Sequence, residues 1–91
     1  MWTVYILECK DGSFYTGVTN DLDRRLKEHR EGTSHYTGYN SPTRLVYQEE
    51  HQSKLDAEKR EAQIKRWSKA KKYALINGDL EQLRLLSRSR D

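Results

Sequence analysis

Tyr15-Thr16-Gly17-Val18-Thr19-Asn20-Asp21-Leu22-Asp23-Arg24-Arg25-Leu26-Lys27-Glu28-His29 is the stretch around which the rest of the chain is arranged. It reads as the end of a β-strand, a tight glycine turn and an amphipathic helix. Thr19, Asn20 and Asp21 are all competent N-caps, and Asp23 puts negative charge in the first turn, where the helix dipole favours it. Leu22 and Leu26 are four apart and share a face. Arg25 and His29 are also four apart, and at about 100° per residue this pair lies roughly 60° from the leucine stripe. An arginine and a histidine at the margin of a buried face point along the core, where a cleft-lining cation sits. The plainer alternative is a solvated helix face, the usual place for charged side chains.

Upstream, Trp2-Thr3-Val4-Tyr5-Ile6-Leu7-Glu8-Cys9 is rich in β-branched and aromatic residues and predicts a strand. It is apolar at nearly every position, as a strand covered on both faces would be, so it is expected to lie centrally. Lys10-Asp11-Gly12 leads into a second strand over residues 13–18. A two-residue loop would pair residues whose numbers sum to 23 and put Tyr5 and Tyr15 on opposite faces. A three-residue loop with Gly12 at positive φ gives a sum of 22. Tyr5 then faces Gly17, and Tyr15 is its diagonal neighbour on the same face, at about 7–8 Å. Gly12 suits the position that needs positive φ, which favours the second register.

Downstream, the first helix is expected over about Asp21 to Glu31, ending at Gly32. Residues 33–43 carry Ser, Thr, Gly, Asn and the only proline and read as loop. Their aromatics, Tyr36 among them, suit either base stacking or an ordered lid. Arg44 to Glu49 predicts a third strand. Ser53 opens a second helix with a capping-box spacing to Asp56, running to about Ala70 or beyond, with Ala74-Leu75-Ile76 continuing it. On its wheel Ala57, Ile64 and Trp67 cluster within roughly 80°. Glu61 lies on the edge of that face and Glu58 farther out. A half-buried acid at Glu61 needs a cation, a donor or a metal; a salt bridge to a nearby Lys or Arg is the plain alternative. Lys65, Arg66, Lys69 and Lys72 belong to a basic run that is either a solvated face or a surface tracking a nucleic-acid backbone. Asn77-Gly78 breaks the helix, and Asp79 caps a last one through Leu80, Leu83 and Leu86.

The chain has 91 residues, 34% of them charged, and a net charge of +3. That length makes one domain with a modest core, and the charge is compatible with a nucleic-acid partner. Cys9 is the only cysteine, so no internal disulfide forms and a reducing, cytoplasmic setting is expected. No apolar run approaches the roughly 20 residues needed to span a bilayer, so no membrane association is expected. The histidines show no zinc-ligand spacing.

Together these residues resemble the GIY-YIG nuclease superfamily, specifically its small stand-alone members. The first half-motif stands as Thr3-Val4-Tyr5 and the second as Tyr15-Thr16-Gly17. The run from Gly17 to His29 is similar to the family's helix pattern, and Ala57 to Trp67 followed by Lys71-Lys72 resembles the segment with the metal-binding glutamate. Thr3-Val4 stand where the family has Gly-Ile, and Thr16 where it has Ile. The resemblance implies an α+β fold: a three-stranded antiparallel sheet flanked by helices in the order β-β-α-β-α-α. It implies a nuclease-like domain over residues 1-78, with 79-91 as a C-terminal helix and tail. By position, Tyr5, Tyr15, Arg25 and His29 match the catalytic positions and Glu61 the metal ligand.

The activity implied is metal-dependent endonucleolytic hydrolysis of DNA phosphodiesters with one divalent cation, Mg²⁺ or Mn²⁺, in DNA repair or processing. Lys65, Arg66, Lys69, Lys72 and Tyr36 are the candidate nucleic-acid contacts. Tyr5, Tyr15 and His29 all remain open as the group that takes the proton. Two other readings compete: a silent nucleic-acid-binding or protein-docking module, and a structural Arg25–Glu61 salt bridge. With no separate DNA-targeting domain, low sequence specificity or a protein partner that supplies targeting is expected.

Overall fold

The computed structural model describes residues 1–31 and 42–88. β1 (Trp2–Cys9) is the middle strand of an antiparallel sheet in the order β2-β1-β3, with β2 spanning Phe14–Thr19 and β3 Pro42–His51. The central position follows from composition, because only a strand sheltered on both sides can be apolar throughout. Val4, Tyr5, Ile6 and Leu7 are all 1% exposed or less. Between β1 and β2 the three-residue loop is the one adopted. Gly12 has φ +86°, Tyr5 faces Gly17 and Leu7 faces Tyr15. Asp11 stabilises the loop by accepting from the backbone N–H and hydroxyl of Ser13, at 2.9 and 2.6 Å.

Even-numbered residues of β1 face one side, where Val4 and Ile6 form a core cluster with Ala57 and Ile64. These last two lie on α2 (Lys54–Lys65), which opens at Ser53: its hydroxyl accepts from Asp56 N–H at 3.1 Å. Each buried aliphatic side chain contributes about 1.5–3 kcal/mol through its removal from water. Odd-numbered residues face α1 (Leu22–Arg30), which is capped by Asp21 through a 3.2 Å bond from Arg24 N–H. Here the expected leucine stripe is not the buried one. Leu22 and Leu26 are half-buried, and His29 is the buried residue of α1 at 1% exposure. This layer is built on ring packing rather than on leucine.

The long helix predicted from Ser53 to Ile76 is divided. α2 ends at Lys65, and α3 (Lys69–Ile76) restarts after Ser68, whose hydroxyl accepts from Lys71 N–H at 3.2 Å. A serine that can cap the backbone donors of a following helix competes with continuing the first one. The break lets Trp67 pack against the core cluster while Lys71 lies over its ring, 4.5 Å from the centroid. α4 (Leu80–Ser87) follows Gly78, whose φ is +68°, and is capped by Asp79 as expected. Among the described residues, no helix is long and apolar enough to cross a membrane.

Candidate active site

Three rings converge on the α1 face. The hydroxyl of Tyr5 lies 3.0 Å from His29 Nε2. Tyr15 stands beside both, with ring centroids 6.2 Å from Tyr5 and 5.0 Å from His29. The register puts the two tyrosines on one face, and the four-residue spacing in α1 brings His29 onto them. Gly17 makes the packing feasible. A Cβ there would stand 2.5 Å from the Tyr5 hydroxyl, so any side chain would push the phenol off the strand. Space, not backbone conformation, calls for glycine at this position.

Burial pushes the Tyr5 phenol above the ordinary tyrosine range, and neighbouring Tyr15 adds to the rise; Arg25 pulls the other way and is outweighed. Burial also depresses His29, and the Arg25 charge adds to that while Glu28 opposes it. Both groups are therefore neutral at pH 7. In the tautomer that carries its proton on Nδ1, the neutral imidazole accepts the phenol O–H at Nε2; in the other it donates to the phenol oxygen. With the proton on Nδ1 the pair is a short proton wire, with partly exposed Tyr15 at its side.

A second constellation lies at the C-terminal end of β2. An open cleft of about 350 Å³ is lined by Arg25 and Arg24 of α1, Val18 and Thr19 of β2, and Lys54, Glu58 and Glu61 of α2, together with Trp2 and Asn20. α1 and α2 cover opposite faces of the sheet, and side chains from both line this cleft. Arg25 and Glu61 both reach this cleft and do not pair with each other. Arg25 is 3.8 Å from Glu28 and its side chain is 41% exposed; Glu61 is 3.6 Å from Lys65 and 23% exposed. The structural Arg25–Glu61 salt bridge weighed from the sequence is thus not formed. The charges of both residues nonetheless act on Tyr5, Arg25 lowering the phenol and Glu61 raising it.

Glu61 and Glu58 are the cleft's carboxylates. Among the described residues there is no group of three or more His, Cys, Asp and Glu side chains. Such a donor set fits a hard cation that keeps most of its water, as Mg²⁺ does, and not one that demands a full protein shell.

Of the residues read as nucleic-acid contacts, Lys65 is exposed beside Glu61, and Lys69 and Lys72 line two further clefts against Phe14. Arg66 is exposed and lines none of these clefts. Tyr36 lies outside the described residues. Trp2, Arg24 and Lys54 were not singled out from the sequence. Their placement depends on which helix ends meet at the β2 margin.

Comparison with known proteins gives this arrangement a family. Residues 1–74 match the model of the GIY-YIG catalytic domain, and the chain belongs to that family. It is 45% identical to a UPF0213 protein of Staphylococcus saprophyticus over 75 residues, 81% of this chain and 92% of that one. A UPF0213 protein of Staphylococcus aureus is also 45% identical, over 80% of this chain and 90% of its own. Among solved structures, the UPF0213 protein of Bacillus halodurans, determined in solution by NMR, is 47% identical with a TM-score of 0.56. That match covers 85% of this chain and 84% of the other. An E. faecalis protein, also solved by NMR, is 32% identical with a TM-score of 0.57, covering 86% and 85%.

Proposed function

We propose that this chain is a metal-dependent endonuclease domain that hydrolyses DNA phosphodiester bonds at the cleft between α1 and α2. The observation that carries this reading is the meeting of Arg25 and Glu61 in one cleft, each left without the other as partner, beside a neutral Tyr5–His29 wire. An arginine at a cleft margin offers paired donors to a phosphate and stabilises the charge that builds up on it during substitution. Glu61, with Glu58 nearby, would hold a divalent cation, Mg²⁺ or Mn²⁺. When bound, the cation supplies charge neutralisation at the phosphate and the leaving oxygen.

The residues of the chain supply the proton path. Tyr5 is too basic to ionise unaided at neutral pH. Its oxygen accepts a proton from the attacking water as its own O–H passes to His29 Nε2. The two transfers are coupled, so no phenolate has to form first. Tyr15 borders both rings and orients the water. Arg25 is polar enough to meet solvent and close enough to act on the phenol, so it links phosphate binding to proton transfer. The free and buried Cys9 suits a reducing compartment, and we place the activity in cytoplasmic DNA repair or processing. With so small a net charge, binding is weak and salt-sensitive, and a protein partner supplies targeting. Residues 1-78 make up the nuclease unit.

The test is cleavage of labelled single-stranded, duplex, flapped and branched DNAs with Mg²⁺ or Mn²⁺, beside EDTA controls and Glu61→Ala. We expect metal-dependent cleavage that a folded Glu61→Ala lacks. Binding that Glu61→Ala leaves unchanged, with no substrate cleaved, would instead identify a silent binding module.

A further inference from the structure

Among the described residues β2 pairs only with β1, so no strand among them lies on its other side. Which backbone groups it presents follows from the ladder. Cys9 N–H donates to the Ser13 carbonyl at 2.8 Å, so Cys9 and Ser13 form a hydrogen-bonded pair. Bonded and non-bonded pairs alternate along an antiparallel ladder. The pairs Glu8–Phe14, Ile6–Thr16 and Val4–Val18 are therefore non-bonded. The peptide N–H and C=O groups of Phe14, Thr16 and Val18 point away from β1, about 6.8 Å apart as alternate residues of a strand; Phe14 and Val18 are partly exposed and Thr16 is 3% exposed. Phe14 and Val18 are two such steps apart, a separation that suits every second phosphate of an extended nucleic-acid strand.

The side chains along this edge are cationic at each step. Val18 lines the Arg25–Glu61 cleft. Thr16 and Phe14 line a neighbouring cleft of about 300 Å³ with Lys65 and Lys72. Phe14 also lines a third, of about 310 Å³, with Lys69 and Lys72. Asp11 in the third cleft is outnumbered by Lys69 and Lys72, which set the local sign.

We infer that the outer edge of β2 is a backbone track: a nucleic-acid strand leaving the Arg25–Glu61 cleft runs along Val18, Thr16 and Phe14. Its phosphates accept from the outward N–H groups of Phe14 and Val18 and are flanked by Lys65, Lys72 and Lys69. The inference rests on the nuclease reading for which cleft holds the reacting phosphate. An unpaired edge can also receive a peptide strand, but such a partner needs only backbone, and the flanking cations favour a polyanion. The track makes contact regardless of base, which suits the low sequence specificity expected of the chain.

Amide NMR of the ¹⁵N-labelled protein tests this in EDTA, where cleavage does not intervene, with inorganic phosphate and then a short oligonucleotide as probes. We expect the amides of Phe14 and Val18 to shift, while those of Tyr15 and Gly17, bonded to β1, move much less. Lys72→Ala should weaken oligonucleotide binding several-fold and lower the salt slope by about one. Oligonucleotide shifts confined to other surfaces would overturn the track and leave the nuclease reading intact. The alternating pattern with no cleavage in metal would keep the track and remove the nuclease reading. Shifts that follow protein concentration without nucleic acid would overturn it in favour of strand pairing between copies.

Discussion

Glu49 and Glu61 are carboxylates on opposite sides of α2 with similar exposure, 19% and 23%, and very different company. Glu49, on β3, accepts from the Tyr47 hydroxyl at 2.5 Å and from Arg60 Nε at 3.1 and 3.3 Å, and it lies 2.6 Å from His51 Nε2. Burial alone would raise it, but the Tyr47 and His51 hydrogen bonds and the Arg60 charge outweigh burial and hold it below the ordinary carboxylate range. Arg60 is fastened in turn to Gln63 at 2.8 Å and lies over the Trp67 ring. Glu61, the next residue along α2, has one ion pair, at 3.6 Å, and otherwise faces an open cleft. Exposure does not separate a structural acid from a functional one; the number and geometry of partners do. A carboxylate whose lone pairs are filled pins α2 to β3, and one whose lone pairs are largely free is left to bind something else.

The largest expected effect is on the Glu61 side. Glu61→Ala should cost more than about a hundredfold in metal-dependent cleavage, while unfolding shifts by no more than about 0.5 kcal/mol, as for a lone exposed pair. Urea unfolding beside the cleavage assay checks both halves. Glu49→Ala should do the reverse. It strands Arg60 and the Tyr47 hydroxyl at sites about three-quarters buried or less, so we expect about 2 kcal/mol, below the cost of breaking a fully buried pair. Cleavage by the folded protein should survive.

Gly17→Ala probes the ring cluster. Its Cβ would meet the Tyr5 hydroxyl at 2.5 Å, so a loss of about 1–3 kcal/mol from overpacking is expected. Cleavage should fall further than stability accounts for, because the Tyr5–His29 bond is displaced. The smallest effect is on pH dependence. His29 is depressed from 6.5 by burial and then by Arg25, so the unfolded chain binds the proton more readily than the folded one. Its contribution is fully present above pH 6.5 and is lost as pH falls toward the lower folded value. Cleavage should decline over the same window, as protonated His29 can no longer accept from Tyr5. Thermal melts from neutral to mildly acid pH, beside His29→Gln, should show that slope flattened in the variant.

Features legible in the sequence were those set by local chemistry. Gly12 chose the hairpin register, and with it the shared face of Tyr5 and Tyr15. Ser53 and Asp79 marked helix starts, and the wheel of α2 separated Glu61 from the exposed Glu58. The Ser68 break was hidden because a mid-helix serine is ordinary unless the chain turns there. The Glu49 network was hidden because it joins residues of β3 and α2 that no periodicity relates. The cleft roles of Trp2, Arg24 and Lys54 depend on two helix ends meeting across the β2 margin, a tertiary fact. His29 outranked the leucines of α1 because the face it meets is made of tyrosines.

The most direct test of the account runs Glu61→Ala and Glu49→Ala side by side through unfolding and metal-dependent DNA cleavage. The account predicts a crossed result: Glu61→Ala stable and inactive, Glu49→Ala weakened and active while folded. A folded Glu61→Ala that cleaves as fast as the unaltered protein in the same metal would contradict it.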